Sequence, residues 1–293
     1  MLTRVVRGSS GRRLRPARFT LFAALSFAAV LSGAALAQDH AAHVSTEFVA
    51  QDYSFEGPSQ LSPGWQTIAL RNNGTEMHHI QFTRLADGVT PDQFFTAFQS
   101  EGGAALRFLT FNGGVGMIPP GASAEVLVDF TKPGTYVVLC FLPNAEGVPH
   151  LALGMTDVIE VVGEPTGVEE PAADFEVHMF DFAYTMPSSV PAGTTTWKVV
   201  NDGPQPHEMT LVKLNDGVTF EAFMQHLAEH GEEGMPGTPI GGAQALHPNL
   251  ASYFTYDLQP GEYAALCAIP DQATGTPHVQ LGMLAGFSVE ASN

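Results

Sequence analysis

The apolar residues that follow position 45 occur in short runs, rich in β-branched and aromatic side chains and separated by Gly, Pro and Asn. Runs of this kind predict short β-strands. The clearest ones in the first half are WQTIALRN (65–72), HIQFTRL (79–85), AEVLVDF (124–130), TYVVLC (135–140) and DVIEVV (157–162). Their close spacing, with a Pro-Gly turn before TYVVLC, is typical of a β-sandwich.

A helical pattern interrupts the strands once in each half of the chain. LADGVTPDQFFTAF (85–98) and LNDGVTFEAFMQHL (214–227) each predict a loop that leads into a short helix. Thr90 is the predicted N-cap of the first helix, and Gln93 completes a capping box with it. Thr219 repeats the cap without the box. The predicted fold class is therefore all-β, with a short helical insertion in each half.

The two helices belong to an internal repeat with a period of about 128 residues. The repeat is also visible in two other pairs of segments, AEVLVDFTKPGTYVVLC (124–140) with ASYFTYDLQPGEYAALC (251–267), and GVPHLALGM (147–155) with GTPHVQLGM (275–283). Residues 163–174, GEPTGVEEPAAD, are acidic and contain proline, which is typical of an exposed linker. We therefore predict two tandem β-sandwich domains, residues 47–162 and 175–290.

Residues 1–37 have the composition of an export signal. Six arginines precede an apolar run that ends in Ala35-Leu36-Ala37, so we predict a signal peptide and a periplasmic or secreted protein. The pattern leaves open whether export follows the general or the twin-arginine route. Cleavage after Ala37 would expose Gln38-Asp39-His40, a possible N-terminal Cu(II) site. No other apolar stretch is long enough to span a bilayer.

The predicted mature chain is strongly acidic. It contains six basic and 30 acidic residues, which give a formal net charge of −24. Nucleic acids and anionic lipid surfaces are therefore excluded as expected partners. A cation or a basic protein is favoured instead.

The repeat carries four metal-binding residue types at matching intervals in both halves. They are His78, Cys140, His150 and Met155 in the first half, and His207, Cys267, His278 and Met283 in the second. Two imidazoles, a thiolate and a weak thioether form the ligand set of an electron-transfer copper site. The sequence therefore predicts up to two copper ions per chain.

Structural explanations compete with this prediction. Two cysteines in an exported chain also suggest one disulfide, but that bond would have to join equivalent points of two separate domains. A buried Cys or Met alone is usually a core residue, and a strand His is usually satisfied by a backbone partner. These explanations would have to apply to all four residues, and to do so in both halves. The copper interpretation is therefore favoured. One functional half beside one that has lost its ion remains an alternative.

With these residues identified, each half resembles a cupredoxin, the small Greek-key copper-binding sandwich. The matching features are the Asn-Gly or Asp-Gly pair before the first His, the Pro-Gly-x-Tyr turn before the Cys strand, and the His-x4-Met ending. The resemblance implies a Greek-key sandwich in each half, with the four residues of each set as copper ligands. Nine and ten residues separate Cys from the loop His, more than in small cupredoxins. The PHLALGM and PHVQLGM endings resemble the blue-copper loop of copper nitrite reductases, which is similarly lengthened.

The residues beside each cysteine suggest that the protein is not an enzyme. Two-domain cupredoxin enzymes carry a His next to this Cys, whereas the sequence here is Leu-Cys-Phe at Cys140 and Leu-Cys-Ala at Cys267. A His-x4-His pattern is also missing, since Thr83 and Val212 occupy the second position. We therefore expect no catalytic copper.

The leading hypothesis is an exported electron-transfer protein with up to two type 1 copper sites. Its partner would be a basic redox protein such as a c-type cytochrome, attracted by the negative charge of the chain. Two alternatives remain open. One is a copper scavenger, buffer or delivery protein that transfers no electrons, and the other is a metal-free interaction module.

Overall fold

The computed structural model describes residues 45–231 and 233–291. The predicted signal peptide and the Gln38-Asp39-His40 sequence lie outside these residues. Within them, neither α-helix combines the length and the apolar character needed to cross a membrane.

The first half consists of nine strands and one α-helix. In chain order they are β1 (Thr46–Gln51), β2 (Ser54–Glu56), β3 (Gln60–Leu61), β4 (Trp65–Asn72), β5 (His78–Leu85), α1 (Pro91–Glu101), β6 (Leu109–Ile118), β7 (Ser123–Asp129), β8 (Gly134–Leu139) and β9 (Thr156–Val161). Short 3-10 helices follow α1 at Gly102–Phe108 and precede β9 at His150–Leu153.

The second half repeats this order. It consists of β10 (Phe175–Phe180), β11 (Ala183–Thr185), β12 (Ser189–Pro191), β13 (Gly193–Asn201), β14 (His207–Leu214), α2 (Phe220–His230), β15 (Gly237–Leu246), β16 (Ala251–Leu258), β17 (Gly261–Leu266) and β18 (Leu284–Glu290). A 3-10 helix at His278–Leu281 precedes β18, as its counterpart precedes β9.

The strands form two sheets that run through both halves. One has eight strands in the order β11-β10-β13-β16-β7-β4-β1-β2, and the other has ten in the order β12-β18-β17-β14-β15-β6-β5-β8-β9-β3. Each half contributes four strands to the first sheet and five to the second. The predicted all-β fold of two tandem Greek-key sandwiches with helical insertions is confirmed. That the halves would share their sheets was not foreseen.

The halves are joined by strand pairs at the middle of each sheet. Strand β15 pairs with β6 antiparallel through Ala243–Val115 and Leu246–Asn112, and β16 pairs with β7 through Tyr253–Leu127. Pairing of this kind satisfies backbone groups that an isolated sandwich would expose at its sheet edges. The two halves thus pack as one body over the described residues.

Glycines allow the strands near this joint to approach closely. A Cβ atom on Gly114 would lie 1.9 Å from the carbonyl oxygen of Ile80, and one on Gly242 would lie 2.0 Å from that of Met209. Both glycines have positive φ, 145° and 97°. Irregular register on β5 and β14 begins beside these contacts. The positions therefore require glycine for space and for conformation.

Aromatic side chains fill the interior of each sandwich. Tyr136 and Tyr263 are buried, and each hydroxyl donates to a backbone carbonyl four residues upstream, Lys132 or Gln259. These tyrosines belong to the Pro-Gly-x-Tyr turns seen in the sequence. They fix the turns that lead into β8 and β17, the strands that end immediately before the cysteines.

Each helix covers a second, smaller apolar cluster on the outer face of the ten-stranded sheet. Phe94 of α1 packs with Leu139, and Phe223 of α2 packs with Leu266. Because successive residues of a strand face opposite sides, each leucine faces the helix while the following cysteine faces the interior. Thr90 caps α1 with the predicted capping box to Gln93, which is confirmed.

We predict that Gly114→Ala destabilises the protein more than Gly88→Ala. Both glycines have positive φ, but a Cβ atom at Gly88 meets nothing within 4 Å. The strain of a positive φ alone costs about 1–2 kcal/mol, whereas Gly114→Ala adds a clash in a packed strand pair. Urea unfolding of both variants and the wild-type chain measures this difference. Equal losses of unfolding free energy would contradict the proposed packing constraint.

Candidate metal centres

The structure brings the first set of predicted residues together at one end of a sandwich. His78 begins β5, Cys140 follows β8, His150 begins a 3-10 helix, and Met155 immediately precedes β9. All four are fully buried. One ligand atom from each of His78, Cys140 and His150 lies within 4.8 Å of the others, so these residues form a group that can hold a metal ion.

The second half contains an equivalent group of fully buried residues. His207, Cys267 and His278 also place their ligand atoms within 4.8 Å of one another, and Met283 is fully buried immediately before β18. The Cys267 Sγ atom lies 3.3 Å from His278 Nδ1, compared with 3.5 Å between Cys140 and His150. Both cysteines are free thiols, so the alternative of a disulfide between them does not describe this structure.

The long segment between Cys and the loop His folds back on itself. Pro143 and Pro149 form an antiparallel bridge, and the His150 backbone N–H donates to the carbonyl of Leu142. Pro270 and Pro277 form the same bridge in the second half. The additional residues thus form a closed turn that returns each histidine to its cysteine. The length of this segment does not separate the two side chains.

Backbone hydrogen bonds also fix the methionines. Met155 N–H donates to the carbonyl of His150, and Cys140 N–H donates to that of Met155. Met283, His278 and Cys267 make the corresponding bonds in the second half. Cysteine, histidine and methionine are therefore tied into one compact backbone unit at each site.

A carboxylate from the N-terminal part of each half holds the first histidine. Asp52 Oδ1 lies 2.8 Å from His78 Nε2, and Asp181 Oδ1 lies 2.6 Å from His207 Nε2. The carboxylate accepts a hydrogen bond from Nε2–H, which leaves the lone pair of Nδ1 available to a metal ion. In the first site, Nδ1 of His78 is buried and has no hydrogen-bond partner among the described residues.

The environment keeps the carboxylate ionised and the histidine neutral. Burial acts to raise the pKa of Asp52, but hydrogen bonds from Thr75 and His78 outweigh it and hold that pKa well below its usual value. Burial lowers the pKa of His78 despite the opposing effect of Asp52. Burial, together with neighbouring His207, lowers the pKa of His278 to about 4. Neutral imidazoles are the form that binds metal ions.

The Asn-Gly and Asp-Gly pairs now have a physical explanation. A Cβ atom on Gly74 would lie 2.3 Å from Asp52 Oδ1 and 2.6 Å from His78 Nε2, so a side chain would collide with the hydrogen-bonded carboxylate and imidazole. Gly203 has the same relation to His207, with 2.7 Å to Nε2. Glycine is required because the turn passes directly over the carboxylate–imidazole contact.

The loop histidines have different partners in the two sites. His150 Nε2 lies 2.8 Å from the Glu76 carboxylate, whereas His278 Nε2 lies 3.3 Å from the carboxamide oxygen of Gln205. Gln205 in turn donates through Nε2 to Asp181 and Asp271. The first site thus places a charged group directly on this imidazole, and the second places a neutral one there.

The residue after each first histidine supports the cysteine segment. His79 Nε2 accepts a hydrogen bond from Phe141 N–H at 2.8 Å, and a Glu208 oxygen accepts from Ala268 N–H at 2.9 Å. His79 lies outside the metal-binding group, and burial lowers its pKa to about 3. Although histidine and glutamate differ chemically, both hold the backbone directly after the cysteine.

Each thiol is buried and faces backbone donors. Burial raises the pKa of Cys140 to about 12, while backbone N–H groups of His79 and Leu142 act in the opposite direction. Burial likewise raises the pKa of Cys267 well above its usual value, opposed by backbone N–H groups of Glu208 and Ile269. The donors are positioned to stabilise a thiolate once a cation replaces the proton.

The donor set fits copper. A thiolate suits the reduced ion, imidazole serves both oxidation states, and a thioether is a weak axial ligand. His78 belongs to the metal-binding group, and its buried Nδ1 has no hydrogen-bond partner among the described residues, so this nitrogen is available as a ligand. The metal-binding groups contain the six predicted His and Cys residues. Met155 and Met283 are buried on the same loops, each with its backbone hydrogen-bonded to the histidine and cysteine of its group.

Sequence reasoning did not find the three carboxylates and the amide that contact the histidines. Asp52, Asp181, Glu76 and Gln205 all lie beside ligand candidates in the structure. The repeat contains a usable signal, because Asp-Tyr at 52 and Asp-Phe at 181 are separated by the same interval as His78 and His207. Extending the repeat alignment toward the N-terminus of each half would have identified both aspartates.

Comparison with known proteins finds similarity at the level of structure. No protein-family model matches the chain, and no curated protein matches it. Auracyanin from Roseiflexus castenholzii is 21% identical, with a TM-score of 0.28, and covers 41% of this chain and 97% of its own. Copper nitrite reductase from Nitrosomonas europaea is 14% identical, with a TM-score of 0.26, and covers 84% of this chain and 94% of its own. A multicopper oxidase is 17% identical, with a TM-score of 0.26, and covers 84% and 88%.

The auracyanin from Chloroflexus aurantiacus is described as a blue copper protein. Both halves of the present chain have a cupredoxin-like fold with a His-Cys-His group, and the predicted resemblance is confirmed.

The prediction that the chain is not an enzyme is wrong. Structures that match 84–85% of the chain include copper nitrite reductases and multicopper oxidases, which are enzymes. The prediction relied on the leucines beside Cys140 and Cys267 and on the missing His-x4-His pattern at Thr83 and Val212. A missing histidine at those positions removes one ligand arrangement, but it does not exclude every reaction that a His-Cys-His site supports.

We predict that Gly74→Ala removes metal binding from the first site and leaves the second intact. The new methyl group would separate Asp52 from His78, and the imidazole would lose its orientation. Gly103→Ala is the matched control, because a Cβ atom there meets nothing within 4 Å and its φ is not left-handed. Copper content per folded chain, measured after loading and desalting, should fall by about half in Gly74→Ala alone. Unchanged copper content in that variant would contradict the assigned role of the glycine.

Proposed function

We propose that this protein is an exported electron-transfer protein that binds up to two copper ions per chain. The observation that carries the proposal is the pair of fully buried His-Cys-His groups, each with a methionine on the same closed loop. Copper bound there would supply a one-electron couple between Cu(I) and Cu(II). The proposed ligands are His78, Cys140, His150 and Met155, and His207, Cys267, His278 and Met283.

The surrounding residues support rapid electron transfer because they hold the ligands in place without the metal. Asp52 and Asp181 orient the first imidazoles, and Glu76 and Gln205 contact the second ones. Hydrogen bonds to the outer ring nitrogen fix the ring and tune its basicity. A site that is already arranged changes little when one electron is added or removed.

Burial favours this proposal over a copper buffer or delivery protein. The ligand side chains are fully buried, and the loops that bear them are closed by backbone hydrogen bonds. A protein that exchanges its metal needs access for a competing ligand, whereas an electron carrier needs to retain the ion in both states. Firm retention of copper against a chelator is therefore expected.

The predicted export and the charge of the mature chain suggest a partner. Six basic and 30 acidic residues follow the predicted signal peptide. We include in the proposal a basic redox protein such as a c-type cytochrome, because opposite charges accelerate encounter and salt screens that attraction.

We predict an intense visible thiolate-to-copper absorption band in the copper-loaded mature chain. Cys140→Ser and Cys267→Ser should each reduce the band to about half, and each variant serves as the control for the other. The double variant should lack the band while it retains its far-UV circular dichroism. A wild-type chain that is folded and loaded but shows no such band would refute the electron-transfer proposal.

A further inference from the structure

A large cavity lies between the two halves, against the outer face of the ten-stranded sheet. Its volume is about 1140 Å³, slightly above the usual range of small-molecule pockets. Residues from both inserted helical segments line it, including Leu106 and Met224. Neither half forms this cavity alone, so it arises from the joint between them.

The cavity lies beside both candidate metal centres. The segment after Cys140 contributes Phe141 to its lining, and the segment after Cys267 contributes Ala268. His79 and Glu208, which hold these two segments, also line it. A molecule in the cavity would therefore contact the supporting residues of both sites.

The lining indicates an apolar, aromatic occupant. Phe111 and Phe141 line the cavity with ring centroids 6.1 Å apart, and Met224 and Leu227 of α2 add further apolar surface. Met224 is among the most exposed large apolar side chains within the described residues, with 38% of its surface accessible. Aromatic rings pack well against aromatic edges and thioethers.

A buried amide in the lining indicates that the occupant carries a hydrogen-bond donor. Gln81 is fully buried, and its Nε2 atom donates to the carbonyls of Phe82, Gly113 and Ala245 at 2.9–3.1 Å. Its Oε1 atom has no hydrogen-bond partner among the described residues. An unpaired buried acceptor is costly, and a ligand hydroxyl would remove this cost.

We propose that this cavity binds a neutral aromatic molecule that bears a hydroxyl group, with the hydroxyl donating to Gln81. The site is distinct from the metal centres, and binding requires no copper. An anion is disfavoured because Glu208 lies in the lining and the chain is strongly acidic.

The test compares 2-naphthol with 2-methylnaphthalene, which has nearly the same shape but no hydroxyl donor. Binding to the full mature chain is measured by fluorescence titration, with and without copper. We expect saturable binding at one molecule per chain and about fivefold tighter binding of 2-naphthol, the size of one net hydrogen bond. The same binding in metal-free protein separates this proposal from the electron-transfer proposal.

Three variants locate the site. Gln81→Met should abolish the preference for 2-naphthol while it retains binding of 2-methylnaphthalene. Met224→Glu, at the α2 wall, should weaken both ligands at least fivefold, whereas Val162→Glu, exposed elsewhere, should change neither. Should Gln81→Met fail to fold, the comparison of the two ligands on the wild-type chain and the Met224→Glu result still decide the matter. Lack of saturable binding, equal affinity for both ligands, or binding insensitive to Met224→Glu would overturn the proposal.

Discussion

The candidate metal centres depend on one interaction. In each half, a buried imidazole forms a hydrogen bond with a carboxylate that lies near the start of that half. Asp52 and Asp181 fix the ring orientation of His78 and His207. That contact determines where the turn before β5 or β14 can pass, which is why glycine precedes the histidine by four residues. It also leaves the lone pair of Nδ1 available to a metal ion. The two loop ligands and the methionine then follow from the backbone bonds that close each Cys–Met loop.

The joined sheets give these centres a rigid support. The cysteine strands β8 and β17 lie inside the ten-stranded sheet, between neighbours on both sides. Their alternation places leucine toward the helix and cysteine toward the interior. The pairing of β6 with β15 brings the two halves into one body, and the same joint forms the cavity that contacts the support residues of both sites.

Much of this organisation was predictable from local patterns in the sequence. Strand periodicity, the helix cap at Thr90 and the repeated His, Cys, His and Met positions all depend on short segments whose geometry the residues themselves determine. Other features depend on contacts between distant segments. The Glu76–His150 and Asp52–His78 contacts, and the Gly114 approach to Ile80, required the folded chain to be seen.

The incorrect prediction about enzymatic activity was drawn from short local motifs in the sequence. Sequence neighbours, such as the leucines before Cys140 and Cys267, are only a few of the residues that surround a site. His79 and Glu208 show this well, because their unlike side chains make equivalent contacts with the residue after each cysteine. Comparing residue types between the two repeats therefore misses positions where different side chains make the same contact.

The central claim is that each half holds one copper through two imidazoles and one thiolate. X-ray absorption at the copper edge, on the protein loaded with two ions, tests it most directly. The account predicts one short copper–sulfur distance and two copper–nitrogen distances for each ion, with the sulfur contribution halved in Cys140→Ser. A spectrum fitted by nitrogen and oxygen ligands alone would contradict it.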